Sequence, residues 1–168
     1  IEEGKIALDD PISKYLPAFE NAYTVDEDGN KHKEVITVKH LFTMSSGLDY
    51  NLNRPLLIKF AKENYENATT AEVLSILPEY PLHFTPGKRF LYSLSHDVLG
   101  AIIEEVEKMS LADYMHKYIF EPLGMKNSTM KSEGYIKNPP QCYEILDDLS
   151  FIPEKGNTYK HFHPTKNY

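Results

Sequence analysis

The chain has 168 residues, about one domain by the usual length prior and enough to bury a real core. Hydrophobic residues make up 41% and charged residues 26%, an ordinary globular composition that is neither disordered nor membrane-spanning. The net charge of −7, with basic residues scattered, argues against nucleic acid, which needs a concentrated cationic face. Apolar runs fall far short of the roughly 20 residues that cross a bilayer. A single cysteine, Cys142, excludes an internal disulfide. The chain opens on Ile1 and not Met, so a missing targeting segment says nothing about compartment.

In chain order, IEEG reads as the last turn of a helix ended by Gly4 in the left-handed cap position. Asp9, Asp10 and Pro11 open a short helical turn through Ile12, Tyr15 and Leu16, stopped by Pro17. Between Asn21 and Ile36 the polar run DEDGN predicts a surface hairpin, with Tyr23, Val25 and Val35 on its strands. Thr37 caps a helix through Val38, Leu41, Phe42 and Met44 that ends at Gly47. Another helix starts after Asn53 at Pro55 and carries Leu56, Leu57 and Phe60. Thr69 with Glu72 forms a capping box ahead of Val73, Leu74, Ile76 and Leu77, with Pro78 as the stop. The strongest helix runs from Ser93 or Ser95 to Lys108, with Val98, Leu99, Ile102, Ile103 and Val106 as its apolar stripe. Ser110 with Asp113 is a second capping box, leading into a helix broken at Pro122. From Gly124 to Tyr168 weak alternation at Cys142–Leu146 and Phe151–Ile152 predicts a few short strands among long loops. The expected fold class is mainly α with short β elements, α+β, in a single partial domain over residues 1–168.

The segment PGKRFLYSLSHDVLGAIIEEV, from Pro86 to Val106, carries the chemistry. It joins a Pro-Gly turn, a short aromatic strand, a Tyr-Ser-Leu tripeptide and the strongest helix. Tyr92 sits where strand gives way to helix, a junction that often exposes a side chain. Ser93, Ser95, His96 and Asp97 fall at the helix start, where unpaired backbone N–H groups need acceptors. The structural alternative is a half-buried Tyr92 with serines that only cap the helix.

Four stretches, in order, resemble the serine β-lactamase and penicillin-binding-protein superfamily, in particular its class C-like branch. They are GKIALDDPISKYLPAF, ITVKHLFTMSSGL, FTPGKRFLYSLSHDVLGAIIEEV and FEPLGMKNSTM. Together they cover roughly residues 4–131, leaving 132–168 unassigned. The resemblance implies a serine hydrolase of the β-lactamase, D-amino-acid peptidase or esterase type, working through an acyl-enzyme with no cofactor. Its substrate would be a small molecule or peptide with an amide, lactam or ester carbonyl.

That chemistry needs a Ser-x-x-Lys turn, a tyrosine for proton exchange and a Lys/His-Ser/Thr-Gly strand that supplies an oxyanion N–H. Of these the sequence offers the tyrosine: by resemblance Tyr92 is the catalytic acid or base. A phenol with a solution pKa of about 10 needs nearby cationic charge to serve at neutral pH. Leu94 stands in the substrate-binding position where the family often has asparagine. A leucine cannot hydrogen-bond an acyl-amide group, which leaves room for an esterase or D-amino-acid peptidase. His96, one turn from Tyr92, either supplies part of that lost polarity or has no chemical role. One literal Ser-x-x-Lys, Ser128 to Lys131, lies in the wrong place in the family order. The resemblance therefore implies the helical portion of such a fold, lacking the nucleophile helix and most of the central sheet, and inactive alone. A non-catalytic binding protein on the same fold is the alternative.

Other signals are weaker. His161-x-His163 lacks the cysteine or carboxylate cluster that a metal site needs, so no metal is expected. His40 beside Lys39 reads as structural, and Cys142 has no evident base partner. Asn67-Ala68-Thr69 and Asn127-Ser128-Thr129 fit the glycosylation pattern, which is frequent by chance. Exposed apolar faces left by a missing nucleophile helix predict a homodimer.

Overall fold

The computed structural model describes residues 1–64, 68–130, 141 and 143–153. Its helices are α1 (Val38–Phe42), α2 (Pro55–Asn64), α3 (Thr70–Leu74), α4 (Ser95–Glu107) and α5 (Leu111–Met115). Two antiparallel hairpins accompany them, β1 (Tyr23–Val25) with β2 (Lys31–Lys33) and β3 (Tyr143–Ile145) with β4 (Phe151–Pro153). This is a partly helical fold with two two-stranded sheets, as the periodicity led one to expect. Among the described residues no helix is long and apolar enough to cross a membrane, and no acidic, His or Cys cluster could hold a metal.

The core forms where α4 packs on α1 and α3. Val38 and Leu41 of α1 and Val98, Ala101 and Ile102 of α4 are at most 1% exposed. Ile12, Leu16, Phe19 and Ile36 close that core from the N-terminal side. Each fully buried aliphatic side chain here contributes about 1.5–3 kcal/mol of transfer free energy. Gly100 sits on the inner face of α4, where an added Cβ would meet the Leu111 Cδ2 at 3.0 Å. A small residue at this point lets the start of α5 pack against α4.

Capping residues did what their side chains allow. The Thr37 hydroxyl accepts the His40 amide while the His40 ring accepts the Thr37 amide, so this histidine is structural. Thr69 and Glu72 cap α3 in the same reciprocal way. Ser110 accepts the Asp113 amide at 3.0 Å and starts α5, which continues as a π-helical turn over His116–Phe120 before Pro122.

Three boundaries differ from expectation. Helix α1 ends at Phe42, not Gly47, because Met44 takes a left-handed conformation with φ of 50° and breaks the α register first. Helix α3 ends at Leu74, and Pro78 falls inside a separate 3₁₀ turn, Leu77–Glu79, where its missing N–H costs nothing. Residues 89–92 are not a ladder strand. The stretch donates one hydrogen bond, from the Leu91 amide to the Met44 carbonyl, and has no strand beside it. Lys131, Cys142, Asn67, His161 and His163 lie outside the described residues.

Asp26 organises the first hairpin: its carboxylate accepts the Asp28 and Asn30 amides and meets the His32 ring, holding it well below the ordinary range. Asp10 does the same for the N-terminal segment. Hydrogen bonds from the Tyr15 hydroxyl, the Ala7 amide and the Lys14 ammonium lower its pKa from 3.8 to about 2. Because the folded value is depressed, this stabilisation is present above the unfolded value and is lost as pH falls toward about 2. Urea midpoints measured from pH 6 to pH 2 should therefore fall more steeply for the native chain than for Asp10→Asn. The two curves should converge at the acid end; parallel curves would show that this carboxylate is not coupled to folding.

Candidate active site

The loop after α1 is the floor of the site, and the segment 83–94 lies along it. Four loop carbonyls accept amides from that segment. Gly47 takes His83 at 2.8 Å, Ser45 takes Gly87 at 2.8 Å, Met44 takes Leu91 at 2.9 Å and Asp49 takes Leu94 at 3.1 Å. The approach is so close that a Cβ on Gly47, whose φ is 84°, would stand 2.5 Å from the Phe84 carbonyl oxygen. Any side chain there is excluded both by conformation and by space.

Behind this clasp three serines are sealed in the interior: Ser46, Ser93 and Ser95 are at most 2% exposed. Ser46 Oγ lies 2.8 Å from Ser95 Oγ, which lies 2.7 Å from Ser93 Oγ, which in turn donates to Met44 Sδ at 3.6 Å. Each hydroxyl carries one proton, so the direction of the whole chain follows. With Ser93 committed to the sulfur, Ser95 donates to Ser93 and Ser46 donates to Ser95. Ser46 also accepts the Leu48 amide at 3.2 Å, and Ser93 accepts the Ser95 amide at 3.3 Å. The serines thus serve one another more than they cap α4, whose N-cap is Leu94 with no side-chain cap.

The three residues singled out in the sequence take different places. Tyr92 is 64% exposed, and its hydroxyl makes no hydrogen bond among the described residues. Leu94 is buried in the hydrophobic core, and only its amide faces the loop. His96 is exposed on the first turn of α4, and no hydrogen bond or ring contact joins it to Tyr92 among the described residues.

Two further features were not singled out. Tyr50, two residues after the Ser-Gly-Leu turn, packs against Tyr92 with ring centroids 5.5 Å apart and planes tilted by 37°. Desolvation pushes the Tyr50 phenol up, and the charges of Asp97 and Tyr92 add to this. Asp97 is itself held above its ordinary range, chiefly by desolvation. Beside this pair Asp49 gathers the Arg54 guanidinium at 2.7 Å and the His83 ring at 2.9 Å. Desolvation would raise the Asp49 pKa, but hydrogen bonds from His83, the Asn51 amide and Arg54 bring it below the ordinary value. Arg54 in turn lies over the Tyr80 ring at 4.3 Å. The outcome is an exposed phenol backed by a second aromatic ring, mounted on a rigid hydrogen-bonded loop.

The family model described as Beta-lactamase matches residues 1–140. The chain belongs to the beta-lactamase family. Among its relatives, Protein flp of Staphylococcus aureus (strain MW2) is 33% identical over 135 residues, covering 80% of this chain and 25% of that protein. Esterase EstB of Burkholderia gladioli is 28% identical over 156 residues, covering 86% of this chain and 36% of that protein. Among solved structures, EstCE1, a hydrolase with promiscuous acyltransferase activity, superposes with a TM-score of 0.70 at 28% identity. That match covers 92% of this chain and 40% of EstCE1. The chain thus spans a quarter to two fifths of the length of these proteins. Beta-lactamase-family hydrolases of this type act on ester or amide substrates.

The serine relay makes a quantitative expectation for this family member. Ser95→Ala strands the Ser46 hydroxyl with no acceptor in a sealed interior, which costs about 1–3 kcal/mol. Removing both hydroxyls leaves only the Leu48 amide without its acceptor, a loss that Ser46→Ala already carries, so Ser46→Ala/Ser95→Ala should be less destabilised than the sum of the single variants by about 0.5–3 kcal/mol. Denaturant unfolding of the four proteins measures this, and simple additivity would contradict the donation order.

Proposed function

We propose that this chain is the tyrosine-bearing, helical part of a serine hydrolase that cleaves ester or amide carbonyls through an acyl-enzyme. Tyr92 exchanges the proton with the nucleophile or with the leaving group. The supporting observation is the Tyr92 phenol itself, exposed, free of hydrogen bonds among the described residues and fixed from behind by Tyr50. Proton exchange requires an oxygen that a reacting group can reach, and this one is reachable.

Leu94 favours the esterase form of this reading. Its side chain belongs to the core, so no amide at this position engages an acyl-amide group of a substrate. Two of the similar proteins, an esterase and a hydrolase with promiscuous acyltransferase activity, point the same way. We read residues 1–168 as a single partial domain, of which the four quoted stretches cover roughly residues 4–131 and the family model 1–140. His96 contributes at most a polar group at the rim of the site, and no cofactor takes part.

The test is made in the longer protein that carries the nucleophile. Tyr92→Phe should lower kcat for a p-nitrophenyl ester by about 10²–10⁴-fold with KM nearly unchanged. The chain by itself should gain no mass on incubation with a fluorophosphonate or a penicillin. Unchanged kcat in the variant would remove Tyr92 from the chemistry, and a stoichiometric adduct on the chain would make it a complete enzyme. Absence of any serine-directed activity in the longer protein would favour the non-catalytic binding protein.

The same chain should self-associate. Phe42, Phe90, Leu123, Tyr143, Ile145, Leu149 and Phe151 are each at least half exposed, apolar surface that a second copy could cover. Light scattering at micromolar concentration should give a homodimer mass; a clean monomer would sink the expectation.

A further inference from the structure

The buried serine relay is a polar network in a part of the core that touches the site. It does not itself bind or transfer anything. Ser46, Ser93 and Ser95 are sealed from solvent, so no ligand reaches them. The relay begins at an amide and ends at a thioether, with no titratable group at either end, so it carries no proton to the site.

What it does is join. Ser46 lies between the Met44 and Gly47 positions of the loop, and Ser95 opens α4. Ser93 is covalently next to Tyr92, and Tyr50 follows the loop that Ser46 anchors. The hydroxyls therefore fix, across 49 residues of sequence, the distance between the two chain segments that carry the stacked phenols. The four backbone hydrogen bonds hold the segments together, two of them at Leu91 and Leu94 on either side of Tyr92, and leave the freedom of residues 92 and 93 between them to be fixed by side chains. The relay removes that freedom, because Ser93 is held at once by the Ser95 amide, the Ser95 hydroxyl and the Met44 sulfur. A chain of aligned hydroxyls is also stiffer than its members, since each bond polarises the next.

We infer that Ser46, Ser93 and Ser95 are positioning residues that set the orientation of Tyr92 against Tyr50. The inference rests on the reading of Tyr92 as the proton-transfer group. Its test, however, reads the place of the ring without turnover, so the two can fail separately.

Tyrosine nitration by tetranitromethane, followed by peptide mass mapping, reports the accessibility of each ring in the folded chain. Tyr114 and Tyr118, a second stacked pair with centroids 4.7 Å apart on and after α5, are an internal control remote from the relay. In Ser95→Ala the nitration rates of Tyr50 and Tyr92 should rise about twofold or more while those of Tyr114 and Tyr118 stay constant. Ser46→Ala leaves no hydroxyl stranded, since the Ser95 proton still reaches Ser93, and removes only the acceptor of the Leu48 amide. It should fold and move the same two rings in the same direction, even if Ser95→Ala does not fold. A common rise at all four tyrosines would show that the relay supports the fold in general. No change at Tyr50 and Tyr92 in Ser46→Ala would likewise overturn the positioning role. Failure of the proton-transfer reading would instead leave the nitration pattern intact and appear as unchanged kcat for Tyr92→Phe in the longer protein.

Discussion

The constraint on which the rest depends is the close passage of the segment 83–94 over the loop 44–49. Two pieces of backbone meet there with carbonyls all on one side and amides all on the other. Each such bond contributes only about 1 kcal/mol net, but leaving any of them unmade in a water-poor interior costs more. The passage exists because Gly47 has no side chain to block it and can hold a positive φ. Met44, also at positive φ, turns the chain out of α1 one step earlier, at a strain of about 1–2 kcal/mol that the packing of α1 on α4 offsets. Tyr50 and Tyr92 meet because the two segments that carry them meet.

Much of this was legible where the governing interaction is local. Thr37, Thr69 and Ser110 cap helices by bonding to amides three residues on, a rule that needs nothing beyond the neighbouring sequence. The 3.6-residue period of Val98, Ile102 and their neighbours gave α4 almost to the residue, with Lys108 closing it in the left-handed conformation. Expectations failed where a distant partner decides. Phe90 and Leu91 have the composition of a strand, yet a strand needs a ladder, and the segment they face is an irregular loop. Asp49, Arg54 and His83 form a cluster because the fold brings residues 34 apart together, and nothing in their spacing announces it. Tyr50 sat two residues beyond a quoted family stretch; its only signal was that proximity.

The polar groups beside the two phenols are committed to the loop. Arg54 and His83 are both engaged by one Asp49 oxygen, and Arg54 is further held over Tyr80. These contacts stabilise the loop. On the other side, Asp97 places a carboxyl near Tyr50, which makes ionisation of that phenol harder. The local field thus favours a neutral Tyr50 phenol, and the proposed base role of Tyr92 calls for cationic charge brought to its open side.

Leu94 shows how closely substrate choice and folding are tied at this position. Its side chain completes the core beside Val98, and its amide closes the last hydrogen bond of the clasp. An asparagine side chain in the same rotamer would bring a polar amide into an apolar layer, at a cost of about 1–3 kcal/mol unless it found partners. A sequence that commits this position to the core gains a fixed start for α4 and, on the proposed reading, gives up a polar contact to the substrate. The preference that remains must come from what lies over the exposed faces of Tyr92 and Tyr50, where shape and apolar contact replace a directed hydrogen bond. On the proposed reading, such a surface would discriminate weakly between acyl groups that differ by a methylene, by about 1–3 kcal/mol each, and so would suit a broad ester range better than a strict peptide one.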